Sequence, residues 1–396
     1  MLGNFLRRFT PLLTVLFLAG CNFNARQSFM DPKGVIAEKQ YHLFMLTVGV
    51  TAGIFVVVGG VLLWTVWRYR EKKGQKDELP SQSHGNPLIE IGLIGVSVAL
   101  LVVIAVPTLR EIWYTHSMPD DPASNLGQWF DGETAEDTDE EPLIVYARGW
   151  QWWFSFEYPQ LGITTGNEFA IPAGKTVRIE LRGEDVIHSF WLPKIAGKVD
   201  MIPGRNNYMW IRSDEPGYYY GQCAEYCGEA HAYMQFRTEV LPEEEFEKWV
   251  EERRSYPAPP AGEDWNQFIG MMARTPEELP SDDLIKGAGL FFGKGTCVQC
   301  HAIDGTIAAG KLGPNLTHVA DNRSIAAGWM EHENPDGSIN KEQQLENFYN
   351  WIRESEKIKP GNLMYYGSRG MNNGLNNVEL SDEEVRQIAV FMQALQ

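Results

Sequence analysis

Two apolar stretches, Phe44 to Trp67 and Leu88 to Leu109, constrain this chain more than anything else in it. Each is long enough to cross a bilayer core as a helix, which takes ~20 apolar residues. In hydrocarbon every backbone N–H and C=O must be bonded within the protein, so isolated spans are helical. Trp64 and Trp67 stand where an interfacial aromatic belt lies, and Arg68, Tyr69, Arg70, Lys72, Lys73 and Lys76 follow directly. A short, strongly basic loop between two spans belongs on the cytoplasmic side. Both ends of the hairpin then face outward, and the chain from about Glu111 onward lies outside the cytoplasm. Glu90 interrupts the second span near its start, where a carboxylate is costly unless it faces protein or water. It reads either as an interfacial residue or as a proton-uptake carboxylate at the cytoplasmic face.

The N-terminus, "MLGNFLRRFTPLLTVLFLAGC", has the form of a secretory signal. Arg7 and Arg8 make the charged region, Pro11 to Leu18 the apolar region, and small residues precede Cys21. The ending Leu-Ala-Gly-Cys resembles a bacterial lipobox. That resemblance implies removal of residues 1–20 and acylation of Cys21, the alternative being ordinary secretion with a free Cys21. Residues 21–40 then form an extracytoplasmic segment ahead of a transmembrane hairpin at 41–110.

The remainder is acidic. A net charge of −18 excludes nucleic-acid binding, which needs a basic surface. Residues 111–141, with "DDPASNLGQWFDGETAEDTDEEP", read as a solvated loop. From 142 to 254 short strand-like runs such as "LIVYARGWQWWFSFEY" and "TVRIELRG" alternate with Pro and Gly turns, which predicts an all-β sandwich closed by a helix at "EEEFEKWVEERR". Residues 255–280 begin with the Pro-rich "SYPAPPAGED" and read as a linker. The last segment, 281–396, is predicted to be all-α, and Ser381 and Glu384 have the capping-box spacing before its final helix.

Four of the five cysteines sit in two motifs. "CVQCH" (Cys297, Cys300, His301) has the C-x-x-C-H pattern of covalent haem attachment. Two thiols at that spacing add to the two vinyl groups of one haem, and the adjacent imidazole reaches the iron. A zinc or redox-active C-x-x-C is the alternative, with no second C-x-x-C to complete a zinc site. Met/His coordination suits electron transfer, and Met364 and Met371 both lie downstream. The resemblance of "KPGNLMYY" to the K-P-G-N-L-M-P pattern of bacterial cytochrome c domains favours Met364 as the sixth ligand. "GQCAEYCGEAHAYM" gathers Cys223, Cys227, His231 and Met234. Alone it is open to three readings. The compartment permits a disulfide, zinc takes Cys and His but rarely Met, and copper with Cys, His and a weak Met occurs in sandwich-fold electron carriers.

Several segments together resemble one family. "GQCAEYCGEAHAYM" is similar to the dinuclear copper (CuA) loop of cytochrome c oxidase subunit II, and "DVIHSFWLP" to the segment carrying that family's other copper histidine. "GWQWWFSFEYP", "KVDMIPGRNN" and "NPLIEIGLIG" resemble its aromatic stretch, a following loop and the start of its second span. "KPGNLM" and "LGPNLTHV" resemble bacterial cytochrome c, with Tyr365 where a proline is usual. The order matches the caa-type branch, which carries a fused C-terminal cytochrome c. The resemblance implies a cupredoxin-like sandwich and a class I cytochrome c fold. It implies His188, Cys223, Cys227, His231 and Met234 as copper ligands with the Glu225 carbonyl, and a Mg²⁺ shared between the Glu225 carboxylate and the catalytic subunit. Trp152 is implied near the electron-accepting surface, and Glu90 at the mouth of a proton channel.

An oxidase subunit is therefore expected, relaying electrons from covalent haem c to CuA and on to the catalytic subunit, where O₂ is reduced with proton translocation. The chain cannot reduce O₂ alone, since neither span contains a histidine. Expected partners are subunit I, further membrane subunits, membrane lipids, and a respiratory complex or c-type cytochrome as donor. The expected location is a bacterial inner membrane, with the large C-terminal part outside and a lipid anchor on Cys21. The rivals are a quinol oxidase subunit, which would lack the copper ligands, the CuA subunit of a nitric oxide reductase, and a standalone redox lipoprotein, for which the hairpin would be superfluous.

Overall fold

A computed structural model describes residues 23–70, 85–117, 141–274, 282–362, 364 and 380–396. Cys21, the signal segment, the loop lysines Lys72, Lys73 and Lys76, the acidic segment beyond residue 117 and Met371 lie outside the described residues.

Both apolar stretches are helical and longer than their apolar cores. Helix α1 covers Val35–Arg68 and α2 covers Pro87–His116. At ~1.5 Å per residue both exceed the ~30 Å of a bilayer core. Asn86 caps α2 by accepting from the Leu88 amide at 3.0 Å, with Pro87 at the first turn, where no amide is needed. Hydroxyls within the spans return to their own helix: Thr47, Thr65, Ser97 and Thr108 donate to the carbonyl four residues earlier. The Lys39 ammonium lies 4.5 Å from the centre of the Tyr114 ring, joining the start of α1 to the end of α2.

Ten strands build the sandwich: β1 Leu143–Trp150, β2 Trp153–Tyr158, β3 Ile163–Gly166, β4 Glu168–Pro172, β5 Val177–Gly183, β6 His188–Trp191, β7 Lys198–Met201, β8 Asn207–Ile211, β9 Gly217–Cys223 and β10 Gln235–Leu241. One sheet has the order β3-β2-β1-β5-β8 and the other β4-β10-β9-β6-β7. Side chains of β2 alternate between buried and half-buried positions, the period that makes one face a core. Phe154, Phe156, Phe169, Phe190 and Phe236 meet there, with Phe190 and Phe236 stacked at 4.4 Å. Gly221 leaves room for that stack, because a Cβ on it would fall 2.1 Å from the Phe236 ring.

Helix α3, Glu243–Arg254, closes the sandwich. The expected linker is only partly extended. Residues Trp265–Arg274 form helix α4, and Trp265 and Phe268 are buried in the helical core. The sequence pattern missed this because Pro-rich flanks hide a short apolar face that becomes core only by meeting α5, Asp283–Phe292, and the C-terminal α7, Asp382–Gln393. Helix α6 spans Lys341–Ile358, and a short hairpin pairs β11, Ser324–Ile325, with β12, Met330–Glu331. Ser381 and Glu384 make the reciprocal capping box at α7.

Sandwich and helical part belong to one compact unit, apart from residues 36–140. Their seam is polar. Arg237, 2% exposed, donates to the Gly328 carbonyl at 2.7 Å and to Glu331 at 3.2 Å. Arg323 meets Glu239, Ser324 donates to Glu168, and Arg253 reaches Asp321 at 2.7 Å. Two backbone amides also cross it, Gln235 to the Ala327 carbonyl at 3.0 Å and Arg323 to the Glu168 carboxylate at 3.0 Å.

Candidate metal and haem sites

Strand order brings the sulfur-rich loop and the remote histidine together. Strands β6, β9 and β10 are neighbours, with Phe190 opposite Cys223 and Gln235 opposite Gln222. His188 opens β6, Cys223 ends β9, and Met234 immediately precedes β10. The Cys223 amide donates to the Met234 carbonyl at 2.9 Å and the Ala224 amide to the Ser189 carbonyl at 3.1 Å, which pins the loop to the sheet.

The donor atoms converge. Cys223 Sγ and Cys227 Sγ are 3.7 Å apart, far beyond the ~2.05 Å of a disulfide bond. His188 Nδ1 is 3.9 Å from Cys223 Sγ, and His231 Nδ1 is 3.6 Å from Cys227 Sγ. Met234 Sδ lies 3.8 Å from Cys227 Sγ, and the Glu225 carbonyl oxygen is 3.2 Å from Cys223 Sγ. His188, Cys223, Cys227 and Met234 are buried, whereas Glu225 is exposed and directs only its carbonyl inward. Soft thiolates, a thioether and imidazole suit copper, and this donor set fits that metal.

Outer groups aim these ligands. His188 Nε2 is 2.8 Å from Asp185, so its Nδ1 points to Cys223. Gly149 gives the ring space, since a Cβ there would fall 2.9 Å from His188 Cδ2. The Cys227 carbonyl accepts from Gln151 Nε2 at 2.7 Å and from Trp152 Nε1 at 3.0 Å. The contact with Cys227 lowers the Cys223 thiol, against its burial and with help from His188; the same contact pushes Cys227 up. A metal held here would need both thiols deprotonated, so its binding would release protons. For His188, burial favours the neutral ring, but the Asp185 and Cys223 contacts outweigh it and raise its pKa.

The second site is built on tight turns. Cys297 begins a short turn after Thr296, whose φ is +55°, and His301 follows Cys300. His301 Nδ1 is 2.9 Å from the Pro314 carbonyl, which fixes the ring and leaves Nε2 for a ligand. A Cβ on Gly313 would fall 2.5 Å from His301 Cε1, so glycine is required beside the ring. Burial lowers His301, favouring the neutral imidazole that iron binds, and pushes the Cys297 thiol up to about 12. Two thiols two residues apart, followed by one oriented imidazole, fit covalent haem. Met364 follows the Lys359–Asn362 turn and is 38% exposed.

Two families match these two regions. Residues 160–241 match cytochrome c oxidase subunit II, periplasmic domain, and residues 284–396 match cytochrome c. The cytochrome c oxidase subunit 2 of Alkalihalophilus pseudofirmus is 34% identical over 90% of this chain and 90% of its own length. The chain belongs to the cytochrome c oxidase subunit II family. The subunit 2 of Bacillus sp. strain PS3 is 29% identical over 97% of this chain and 95% of its own. The quinol oxidase subunit 2 of Bacillus anthracis is also 29% identical, over 65% of this chain and 83% of its own.

As a cytochrome c oxidase subunit II with a cytochrome c domain, the chain is the electron-transfer component of a haem-copper oxidase and forms a complex with subunit I. The first region implies copper and the second haem c. It is a membrane protein with two helices long and apolar enough to span, and with its C-terminal part outside the cytoplasm. Gln151, Asp185, Gly149 and Pro314 lie inside the quoted segments, but nothing in the sequence alone assigned them a role around the ligands.

Proposed function

We propose that this chain holds a dinuclear CuA centre and one covalent haem c, and that it passes electrons from the haem side to the copper side and on to the catalytic subunit. The observation carrying this reading is the pair of unbonded sulfurs, 3.7 Å apart, flanked by two imidazoles and a thioether. A mononuclear copper or a disulfide would not call for that set. Cys223, Cys227, His188, His231, Met234 and the Glu225 carbonyl would hold the copper. Bound there, copper supplies reversible one-electron chemistry.

The protein's own part is orientation and exclusion of water. Asp185 holds the His188 tautomer, and Trp152 and Gln151 hold the Cys227 carbonyl. Cys297 and Cys300 would carry the haem, and His301 and Met364 would bind its iron. Trp152 would admit electrons to the copper side. Exposed Ile187, Glu225 and Tyr226 adjoin the ligands and form the face toward subunit I, where the Glu225 carboxylate would share Mg²⁺. Cys21 would anchor lipid after signal cleavage, and Glu90 would serve proton uptake for a translocating oxidase. A respiratory complex or a c-type cytochrome would be the donor, further membrane subunits would complete the assembly, and O₂ rather than nitric oxide would be the terminal substrate. The domain boundaries follow those of the sequence reading, with residues 265–274 now assigned to the cytochrome c part.

The test is metal and haem analysis with electron paramagnetic resonance on the purified chain. A mixed-valence dinuclear copper signal, lost in Cys223→Ser, together with one covalent haem is the expected result. Zinc in place of copper, or a native Cys223–Cys227 disulfide, would falsify the assignment. In the assembled enzyme, Glu90→Gln should slow O₂ turnover while leaving copper and haem spectra unchanged; undiminished turnover refutes the proton role.

A further inference from the structure

Lys359 opens the "KPGNLMYY" segment, yet the haem reading of that segment gives it no part. It is 3% exposed, at the C-terminal end of α6, and lies five positions before Met364 in the same turn-containing segment. Its Nζ donates to the Trp152 carbonyl in the sandwich and, at 3.4 Å, to the Ala326 carbonyl in the loop between β11 and β12. Burying an amine is costly without hydrogen-bonding partners. Here both partners are carbonyls, drawn from two other segments of the chain.

The surroundings are built to the same end. Ala326, Ala327 and Gly328 all have positive φ, between 55° and 77°. Their successive carbonyls accept from Lys359, from the Gln235 amide and from Arg237. Asn362 Nδ2 returns to the Lys359 carbonyl at 2.7 Å and folds the turn back on itself. Gly361, at φ +78°, lies so close to the indole that a Cβ on it would fall 3.1 Å from Trp152 Cη2. The indole's Nε1 in turn donates to the Cys227 carbonyl. A continuous line of contacts therefore runs from the segment before Met364 through Lys359 and Trp152 to Cys227.

Resting on the haem-to-copper reading above, we propose that Lys359 is a positioning residue that clamps the Met364 segment against Trp152 and so sets the gap an electron crosses between the two sites. In that step one electron leaves the haem iron and one is taken up at copper; no bond or proton changes hands. Tunnelling falls off exponentially with distance, so a clamp on the line of contacts between the two sites acts on the rate without touching either metal. Burial pushes the ammonium down to about 7, yet an amine donates hydrogen bonds in either protonation state, so the clamp does not depend on charge.

The experiment uses the assembled, metal-loaded enzyme. Photoreduction of the haem followed by optical detection at copper reads the internal transfer in wild type; no transfer there would refute the relay reading itself, separately from the clamp. In Lys359→Met, which keeps the length and removes the donors, internal transfer should slow by about ten-fold or more, a loss of the kind small misplacements cause. Haem absorbance and copper resonance should stay unchanged, and the Gln235 amide should exchange faster with solvent. An unchanged transfer rate overturns the clamp, as does a slowed rate accompanied by altered metal spectra. Should the variant fail to assemble, amine labelling of the wild-type enzyme decides. Lys357, whose side chain is 77% exposed, is the internal reference. Lys359 labelled far less than Lys357 supports the clamp, and equal labelling overturns it.

Discussion

His188 is aimed by residues that are not themselves ligands. Asp185 takes its Nε2, and Gly149 vacates the space its ring fills. The Asp185 carboxylate is itself held by the Gln151 and Val186 amides; although burial disfavours its charge, these contacts and His188 keep its pKa below the usual value. Removing it should leave the sandwich folded, because the residue holds a ring rather than a core. Asp185→Ala is expected to weaken copper retention by about 10-fold, the size of effect that groups behind a metal ligand commonly have. Chelator competition measures it, with far-ultraviolet circular dichroism as the check on folding. Retention equal to wild type would show that sheet geometry alone orients the imidazole. At the haem site Pro314 and Gly313 have the matching roles around His301.

Among the elements, the crossing of α5 and α7 shows how one missing side chain sets a packing distance. A Cβ on Gly287 would fall 1.9 Å from the Gln387 carbonyl oxygen. The helices touch through backbone at that point, with Ile285, Ala288, Phe291, Ile388 and Phe391 buried around it. Gly287→Ala forces the pair apart, and overpacking of this kind costs ~1–3 kcal/mol. Calorimetry should show the cytochrome part melting several degrees lower. Gly270→Ala in α4 is the control, since its new Cβ meets nothing within 4 Å and alanine favours a helix. Equal melting temperatures in the two variants would rule out the close crossing.

For the whole molecule the polar seam is decisive, and its charges titrate in opposite directions. Burial raises Glu168, despite the Ser324 and Arg323 contacts. Burial also works against the charged forms of Asp321 and Glu331, but His318 and Arg253 at the first, and Arg26 and Arg237 at the second, lower their pKa values. The lowered pair adds stability that is fully present above the ordinary 3.8 and 4.5, and that is lost as pH falls through the lowered values. The raised Glu168 adds stability that is fully present below 4.5 and lost as pH rises through its raised value. The seam should therefore be tightest in mild acid and loosen on both sides. Hydrogen exchange at the Gln235 and Arg323 amides, corrected for intrinsic rates, reads this directly. Burial also raises Glu239 in the same seam. Glu168→Gln, which mimics the protonated acid, should therefore lessen the alkaline decline, and Glu168→Gln with Glu239→Gln should abolish it; a decline that persists in the double variant would point to another group.

Much of this was legible in the chain. The two spans, the alternating strands and the capping box of α7 follow from local periodicity and solvent preference. The candidate ligands stood out because metal chemistry demands particular atoms at short spacings, and the match to a known family joined His188 to the loop far from it. Other features depended on contacts that no local pattern encodes. Trp265 and Phe268 look like linker residues until α5 and α7 cover them. Lys359 opens the "KPGNLM" motif, which says nothing of its burial, yet one of its acceptors lies 207 positions away. Sequence by itself determined which atoms are available for copper and haem and which segments can enter a membrane, since those properties are intrinsic to residues and their spacing. Only the tertiary structure decided which polar groups are buried and against what, because burial belongs to the assembled chain.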